Sequence, residues 1–418
     1  MNGFQRHPET QAAVLGGFPL SEVFRYQESD GPIYAYDLDG IEAAARALIG
    51  ALGARATVAY AMKANSAGSI LRRLASVGTG ADVVSGAELM LARRAGIAPR
   101  KIVMSGVAKS DREIDLALAE EIRAIQVESV EELSRIEARA RAAGKRASVS
   151  VRINPNVSID SHAHIATGHD AAKFGVGRDA WPAVLELAVR SSSLCLVGVS
   201  THVGSMLRRF DPYLASATTV CEVARAWASS GAPLEFVDFG GGYGIDYGKG
   251  DVPPPPHEFA ARAKELLEAQ GLASLELIVE PGRSLVGAFG ALVARVIQSK
   301  VTHARRWVMI NAGMNDMIRP ALYGAHHRIE PLERLPGGES WQVVGPVCES
   351  SDDFGRHELG AEPPGAVVVR DVGAYGFTLA SEYNGRPLPT ELFLSAGRVA
   401  SSSQSPGAEA WIERRLRA

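Results

Sequence analysis

The chain has 418 residues, 46% of them hydrophobic and 22% charged, a composition typical of soluble globular proteins and a length that predicts two domains. A net charge of −3 argues against nucleic-acid and anionic-membrane partners, which require a basic surface. No apolar run could cross a membrane, and the polar Met1–Thr10 lacks a signal-peptide core. Cys195, Cys221 and Cys348 are too few and too scattered for a disulfide framework or a zinc site, so we expect a reduced, cytoplasmic protein without a metal.

Short apolar strands alternate with amphipathic helical segments over residues 41–283. The predicted strands are Thr57–Lys63, Ala81–Ser85, Lys101–Gly106, Arg123–Glu128, Ala147–Ile153, Cys195–His202, Leu234–Phe239 and Leu275–Glu280. Predicted helices between them include Ser69–Val77, Ala87–Ala95, Asp111–Glu121 and Val130–Ala143. This alternation predicts a (β/α)8 TIM-like barrel, and the number of strands argues against the competing architecture, a doubly wound open sheet.

Beyond Arg283 the pattern changes to strands joined by Gly- and Pro-rich turns. These strands are Leu285–Val301, Trp307–Ile310, Trp341–Cys348, Ala366–Arg370 and Glu391–Ser395. They predict a second, mostly β domain, a barrel or sandwich, and the strand-like Gly31–Asp37 is expected to pair with it. The predicted domains are therefore an N-terminal segment 1–38 that packs with the β domain, a cofactor-binding barrel 39–284 and a C-terminal β domain 285–418.

Ionisable side chains collect at the ends of the predicted barrel strands, where active sites of such barrels lie. Lys63 ends the first strand, and a buried ammonium needs a partner or a lowered pKa. A neutral amine at this position suits a Schiff base with an aldehyde cofactor, whereas a lysine that merely extends into solvent is the alternative. The other strand ends carry Asp82, Ser105, Glu128, Arg152, His202, Asp238 and Glu280.

A glycine run, Gly240–Gly242, follows the seventh predicted strand and allows backbone N–H groups to approach a phosphate. Tight turns also use glycine, so Arg283 and Ser205 strengthen this interpretation as further phosphate donors. Glu280 is suited to a protonated pyridine nitrogen and His202 to the face of a ring. Together with a Schiff-base lysine, these features predict pyridoxal 5'-phosphate.

Several motifs resemble those of the alanine-racemase-fold (group IV) decarboxylases that use this cofactor. They are Tyr60-Ala-Met-Lys-Ala-Asn65, Gly80-Ala-Asp-Val-Val-Ser-Gly-Ala-Glu-Leu89, His202-Val-Gly-Ser205, Gly240-Gly-Gly242 and Glu280-Pro-Gly-Arg283. A second set resembles the diaminopimelate decarboxylase members, namely Arg152-Ile-Asn-Pro155, Ala172-Lys-Phe-Gly175, 311–324, 345–350, 371–376 and 383–387. The resemblance runs in order from Pro32 to Leu394, which is nearly the whole chain.

This resemblance implies decarboxylation of meso-2,6-diaminopimelate to L-lysine and CO2, the last step of lysine biosynthesis. It implies that Lys63 forms the Schiff base and that His202 lies against the cofactor ring. The other implied cofactor contacts are Ser205, Gly240, Gly241, Gly242, Glu280, Arg283 and Tyr375, and the implied substrate contacts are Arg283, Arg319, Tyr323, Glu349 and Tyr375. It also implies a head-to-tail homodimer in which Cys348 donates a proton in the neighbouring subunit's site.

Two residues depart from the family pattern, Ser351 where glycine is usual and Val372 where alanine is usual, and both bear on fine specificity.

Two alternative functions stay open. One is a decarboxylase of the same fold that acts on ornithine, a D-amino acid or a carrier-bound amino acid. The other is an amino-acid racemase or a non-catalytic cofactor-binding protein, although Lys63-Ala-Asn-Ser-Ala-Gly68 differs from the racemase motif Lys-Ala-Asn-Ala-Tyr-Gly.

Some of these residues also have plain structural interpretations. Cys348 taken alone is more often a small core residue than an acid. Arg319 and Tyr323 share a helical face, where a surface pair is the alternative. The adjacent His326 and His327 have no evident partner and are expected at the surface.

Three histidines, His162, His164 and His169, lie in the long segment Asn154–Val176. A flexible loop without acidic or cysteine co-ligands is a poor metal cage. Long loops in compact domains are often active-site lids. The sequence therefore predicts a lid rather than a metal site.

Overall fold

The computed structural model describes residues 3–28, 30–157, 173–250 and 252–417, and the chain divides into two compact units. The β unit comprises Met1–Ala43, Asp246–Val252 and Leu285–Ala418, and the barrel unit comprises Ala44–Ile245 and Pro253–Ser284. Residues 246–252 thus belong to the β unit, although the sequence assigned them to the barrel. The domain boundaries at 38/39 and 284/285 stay predictions.

The β unit begins with a small antiparallel sheet of β1 (Phe4–Arg6), β2 (Ala13–Leu15) and β3 (Phe18–Pro19), followed by a 3-10 segment, Leu20–Tyr26. Next come β4 (Ile33–Asp37), buried along its whole length, and α1 (Leu38–Leu52), which continues into the barrel unit from Ala44. Asp37 Oδ1 accepts the backbone N–H groups of residues 39 and 40 at 3.1 and 3.0 Å. These bonds satisfy donors that the first turn of α1 leaves without an intrahelical partner.

Eight parallel strands close the barrel unit. They are β5 (Ala56–Ala61), β6 (Gly80–Val83), β7 (Ile102–Met104), β8 (Ala124–Val127), β9 (Ala147–Arg152), β10 (Leu194–Ser200), β11 (Phe236–Gly241) and β12 (Glu276–Glu280). The strands follow chain order around the barrel, and β12 pairs with β5 to close it. The predicted TIM-like barrel is confirmed, and the open doubly wound sheet is excluded.

Helices follow the barrel strands. They are α2 (Gly68–Ser76), α3 (Gly86–Arg94), α4 (Asp111–Glu120), α5 (Val130–Ala142), α6 (Trp181–Arg190), α7 (Asp211–Ser229) and α8 (Pro256–Ala269). Ser85, Ser110 and Ser129 cap α3, α4 and α5 by accepting a backbone N–H three residues on. Such caps fix where a helix begins, and therefore the length of the loop before it. These three serine caps therefore hold the loops in which the strand-end side chains lie.

The rest of the β unit contains little helix, as predicted. Its elements after α9 (Arg283–Val286) are β13 (Gly290–Val301), β14 (Arg306–Ile310), α10 (Arg319–Tyr323), β15 (Ile329–Pro331), β16 (Ser340–Val344), β17 (Asp353–Glu358), β18 (Ala366–Arg370), β19 (Thr390–Ser395), β20 (Arg398–Ser403) and α11 (Gly407–Leu416). The predicted strand Leu285–Val301 is wrong over its first five residues. They form the end of α9 and a 3-10 turn, Gly287–Phe289, because periodicity alone does not separate a buried helical turn from a buried strand.

The principal sheet of the β unit has the strand order β17-β16-β14-β13-β4-β19-β20, with β18 paired to β13 and β15. Strand β4 lies antiparallel to β13 and parallel to β19. The prediction that the strand at Gly31–Asp37 joins the C-terminal β domain is therefore confirmed. Buried side chains of β4, β13, β18 and β19 share one core with β2 and β3.

Candidate active site

Lys63 lies in a single 3-10 turn, Met62–Ala64, directly after β5. Its Nζ is 3.0 Å from Asp82 Oδ2, and Asp82 Oδ1 accepts a 2.5 Å hydrogen bond from the hydroxyl of Ser105. The Asp82 side chain is fully buried, whereas 39% of the lysine side chain is exposed. The amine is therefore held by a fixed carboxylate at the carboxyl end of the barrel and still open to a ligand.

Two carboxylates on neighbouring strands share one amide. Gln126 Nε2 on β8 donates to Asp238 Oδ2 and to Glu280 Oε1, both at 2.8 Å. All three residues are buried. Burial raises the pKa of both carboxyls, and the nearby charge of Asp238 raises that of Glu280 further. The pair of carboxyls on β11 and β12 thus has a strong affinity for a shared proton.

The glycine run after β11 brings backbone where no side chain would fit. A Cβ on Gly241 would lie 1.9 Å from the carbonyl oxygen of Glu280, and one on Gly242 would lie 2.1 Å from that of Gly204. Gly242 also has φ +87, which L residues rarely adopt. Next to Gly204, Ser205 accepts at Oγ a hydrogen bond from Arg283 Nη2 at 3.1 Å. Exposed backbone with a guanidinium and a hydroxyl forms a cradle suited to an anion such as phosphate.

His202 is the third predicted feature at this end of the barrel. Its Nδ1 accepts the backbone N–H of Gly241 at 3.3 Å. Burial, with the cations of Lys63 and Arg152 nearby, holds the pKa of the imidazole well below its usual range. A neutral ring beside the glycine cradle can pack on an aromatic ligand without bringing a positive charge.

A buried ion pair fixes the end of β9. Arg152 Nη1 is 2.9 Å from Glu128 Oε1, and Arg152 Nη2 donates to the carbonyl of His202 at 3.4 Å. Glu128 Oε2 accepts the backbone N–H of Gly175 at 2.6 Å. This pair therefore joins the ends of β8, β9 and β10 to the segment that precedes α6.

In the β unit, Arg319 is the first residue of α10 and is only 5% exposed. Its Nη1 donates to the hydroxyl of Tyr247 at 2.9 Å and lies 3.2 Å from His327 Nε2. His327 Nδ1 lies 3.0 Å from the carbonyl oxygen of Arg370, so it carries the proton donated there, and Nε2 accepts from the arginine. The expectation that His327 lies at the surface is wrong, because this residue is 2% exposed and supports a buried guanidinium.

The segment that holds Cys348 and Glu349 is exposed in the single chain. The backbone N–H of Cys348 points to Asn384 Oδ1 at 3.5 Å. The carboxylate of Glu349 accepts one hydroxyl on each oxygen, Tyr383 on Oε1 and Ser351 on Oε2, the latter at 3.3 Å. Ser351 therefore supplies a contact that the glycine usual in the family could not make.

Tyr375 and Asp371 lie in the left-handed region of the backbone, with φ of +56 and +61. A non-glycine residue in this region is strained and persists where surrounding structure holds it. Asp371 is held by Arg328, whose Nη2 is 2.6 Å from the carboxylate. Val372, the second departure from the family pattern, is completely buried between them.

Within the described residues, no three His, Cys, Asp or Glu side chains are grouped as metal ligands would be. His162, His164 and His169, with most of the predicted lid, lie outside the described residues. No helix in the described part of the chain combines the length and hydrophobicity needed to cross a membrane.

Each of the two units also contains buried polar residues to which the sequence assigned no role. Gln126 is one polar residue within an apolar strand, and that interruption was the signal that could have identified it. Asp82 and Asp238 stood among the strand ends, but their partners come from other strands. Tyr247 and His327 had no signal, because their importance comes only from contact with Arg319.

The chain is similar to known proteins over most of its length. Residues 38–287 match the family model described as "Pyridoxal-dependent decarboxylase, pyridoxal binding domain". The diaminopimelate decarboxylase of Helicobacter pylori is 40% identical over 387 residues, which cover 91% of this chain and 94% of that protein. Its crystal structure with L-lysine has a TM-score of 0.87 at 37% identity and covers 95% of this chain and 100% of that one. The crystal structure of diaminopimelate decarboxylase from m. jannaschii, also with L-lysine, has a TM-score of 0.91 at 33% identity and covers 99% of this chain and 98% of that one.

The chain is therefore a pyridoxal-phosphate-dependent carboxy-lyase of the barrel-plus-β-domain class. Within that class, the chain belongs to the diaminopimelate decarboxylase family. The family, enzyme class and cofactor predicted from the sequence are confirmed.

The barrel unit fits this cofactor in its own chemistry. Lys63 offers an amine to an aldehyde, the cradle around Gly241 and Gly242 admits only backbone, and Arg283 with Ser205 adds a cation and a hydroxyl. A buried acid, Glu280, suits the basic nitrogen of a pyridine ring. The aldehyde, the phosphate and the ring nitrogen of pyridoxal phosphate therefore each have a matching residue.

Proposed function

We propose that this chain converts meso-2,6-diaminopimelate to L-lysine and CO2, the last step of lysine biosynthesis, in the cytoplasm. The relatives named above are diaminopimelate decarboxylases, and two of their crystal structures contain L-lysine, the product of that reaction. The observation that carries the choice of substrate is the buried guanidinium of Arg319, because a substrate with a second carboxylate needs a fixed cation.

Lys63 is the residue that holds and releases the cofactor. Its Nζ is 3.0 Å from the buried Asp82, which orients the amine and compensates its charge when it is protonated. A lysine tethered in this way stays close when a substrate amine takes its place. It can therefore return after each turnover without a large movement.

The remaining barrel residues bind and polarise the cofactor. Bound pyridoxal phosphate supplies an electron sink for the pair of electrons left when a carboxylate departs from an amino acid. The cradle with Ser205 and Arg283 would bind the phosphate, and neutral His202 would lie against the ring. Glu280, as a buried carboxylate, stabilises a protonated ring nitrogen, which increases the capacity of the sink.

The β-unit residues select the substrate. Arg319 is held by Tyr247 and His327 through one nitrogen, Nη1. The two hydrogens on that nitrogen lie in the guanidinium plane, so two acceptors fix the plane in which a carboxylate must approach. Glu349 complements it by offering a carboxylate to the distal ammonium of the same substrate, with Arg283, Tyr323 and Tyr375 as further contacts.

We also propose that Cys348 and Glu349 act in the site of a second copy of the chain, in a head-to-tail homodimer. Their segment is exposed in the single chain, with Leu322 and Leu379 as exposed apolar side chains in the same unit. Burial against a partner would give these apolar groups a reason to be exposed in the isolated chain. Cys348 then donates the proton that replaces CO2 on the substrate carbon.

Product analysis tests the proposed reaction. The purified, cofactor-loaded protein is incubated separately with meso-diaminopimelate, ornithine and L-lysine, and CO2 and amine products are quantified. We expect CO2 and L-lysine in equal amounts from meso-diaminopimelate alone. Putrescine from ornithine, or a change of stereochemistry without CO2, would instead support one of the two alternatives.

A further inference from the structure

Asp238 has a position in the barrel that the proposed reaction does not explain. It is 0% exposed and shares the amide of Gln126 with Glu280, 2.8 Å from each. Its other oxygen, Oδ1, accepts the backbone N–H of Gly240 at 2.8 Å. One side chain therefore connects the acid at the end of β12 with the first glycine of the cradle.

The charge on this cluster is restricted. Two carboxylates that share one amide donor away from water repel each other, and one of them keeps a proton. The cluster is faced by a further carboxylate, Asp82, by the cation of Lys63, and by the hydroxyls of Tyr213 and Tyr243. The one cation does not neutralise three carboxylates.

The two carboxyls differ in what they contact. Asp238 points its oxygens at an amide and a backbone N–H inside the barrel, and both of those donors remain satisfied if it is neutral. Glu280 is the last residue of β12, directly before the segment that leads to Arg283. Of the two, Glu280 is therefore the one placed to meet a ligand.

We propose that Asp238 is a positioning residue that keeps the shared proton of the pair, so that Glu280 is the ionised partner of a bound ring nitrogen while Gly240 is held in the cradle. Gln126 donates to both carboxylates and fixes their separation. The inference concerns cofactor binding only and does not depend on which amino acid is the substrate.

The first test uses the cofactor-free protein. A proton held by the folded pair stabilises the fold at low pH, and this stabilisation is lost as pH rises through the raised folded pKa values. Asp238→Asn carries a permanently neutral group. We expect its Tm to rise relative to the native protein as pH increases from about 5 to about 8. Asp179→Asn, on an exposed residue, is the matched control and should keep a constant difference.

The second test measures cofactor dissociation constants by fluorescence titration. Asp238→Asn keeps the oxygen that holds Gly240, so its Kd should stay within about threefold of native. Asp238→Ala removes that acceptor and should weaken binding by about tenfold or more. Glu280→Gln removes the ionised partner of the ring and should also weaken binding by about tenfold or more.

Two results would overturn the proposal. One is an Asp238→Asn protein that binds the cofactor as poorly as Glu280→Gln, because a neutral side chain that keeps the Gly240 contact would then not be sufficient. The other is a Tm difference between Asp238→Asn and native protein that does not change with pH. Circular dichroism at pH 5 checks that each variant is folded. The order of the cofactor Kd values among the folded variants then supports or overturns the proposal. Loss of activity toward diaminopimelate alone would bear on the proposed reaction and not on this inference.

Discussion

The barrel unit and the β unit hold their functional side chains in opposite ways. In the barrel unit, Asp82, Asp238 and Glu280 are buried and already hydrogen-bonded within the unit, Asp82 to Ser105 and the other two to Gln126. In the β unit, Cys348 and Glu349 lie on an exposed segment with contacts to surface residues. A group that polarises a cofactor works best in a fixed, dry environment. A group that serves a neighbouring molecule has to be exposed in its own chain.

Arg319 does not follow this difference between the two units. It belongs to the β unit, yet it is as buried and as firmly held as the barrel carboxylates. If burial marks residues that act on a ligand of their own chain, Arg319 belongs with the barrel residues in function. If exposure marks residues used across a dimer, only the Cys348 segment should show complementation.

The largest expected effect is at Lys63. Borohydride should fix the cofactor onto a peptide that contains Lys63, and Lys63→Ala should lose activity by about 1,000-fold or more, because the amine that holds the cofactor is gone. Lys101→Ala, on an exposed lysine of the same unit, is the control and should be labelled and active like the native protein. Cofactor fixed to any other lysine would refute the assignment.

Subunit complementation tests the shared site. Inactive Lys63→Ala and inactive Cys348→Ala are mixed under conditions of subunit exchange. In a heterodimer one site carries both changes and the other carries neither, so one of its two sites is active. Random exchange makes about half of the dimers heterodimers, and about a quarter of native activity should therefore return. Verified exchange with no recovered activity would place Cys348 in its own subunit's site or outside catalysis.

A buried acid of the β unit gives a contrast with the Asp238–Glu280 pair. Burial raises the pKa of Glu391 to about 7 from its usual value near 4.5. The folded state therefore binds a proton more tightly than the unfolded state does. The resulting stabilisation is fully present below pH 4.5, and roughly 3 kcal/mol of it is lost as pH rises to about 7. Glu391→Gln should flatten the unfolding free energy over pH 5–7 in urea titrations. Exposed Glu409→Gln should leave the slope unchanged, and an unaltered slope in both would contradict the prediction.

Arg319→Ala should lower kcat/KM for diaminopimelate by roughly 10- to 150-fold, because losing a charge-assisted contact weakens transition-state binding by about 1.5–3 kcal/mol. Cofactor affinity should not change. Exposed Arg398→Ala is the matched control. His327→Ala should give part of the same loss, mainly in KM, because it releases the guanidinium without removing it. An unchanged kcat/KM in Arg319→Ala would remove this residue from the substrate site.

The smallest effect is expected at Ser351. Its hydroxyl is 3.3 Å from Glu349 Oε2, so Ser351→Gly should raise KM by about two- to fivefold, as expected for one modest hydrogen bond at an exposed position. Ser350→Gly adds the same backbone freedom without removing that contact. Equal KM values for the two variants would show that the hydroxyl does not orient Glu349.

Much of the barrel was predictable because its signals are local. Each strand is an apolar run before a polar end, so Lys63 and Glu280 stand out in the sequence without knowledge of the fold. Strand β4 was predictable in the same way, and its pairing with the C-terminal domain followed from the absence of a place in the barrel pattern. The turn at Gly287–Phe289 was missed because four or five buried apolar residues suit either a strand or a helical turn.

The contacts that define the site could not be predicted from one sequence. Gln126 reaches Asp238 and Glu280 across 112 and 154 positions of chain, and no local pattern reports such a pairing. The burial of His327 depends on Arg319 and on the carbonyl of Arg370, which are brought together only by the fold. Sequence indicates which residue types are available, whereas the charge and tautomer of each depend on neighbours distant in the chain.

The place of β4 in its sheet has a consequence for how the protein is made. On the ribosome, β4 emerges before the whole barrel unit, while both strands that flank it, β13 and β19, are synthesised only after the barrel. At bacterial or eukaryotic elongation rates that interval is about 10–50 s. For that time an apolar strand has both edges unpaired, which is a template for association between nascent chains. The barrel can form from residues already synthesised. Its rapid folding makes the barrel strands unavailable for incorrect pairing with β4.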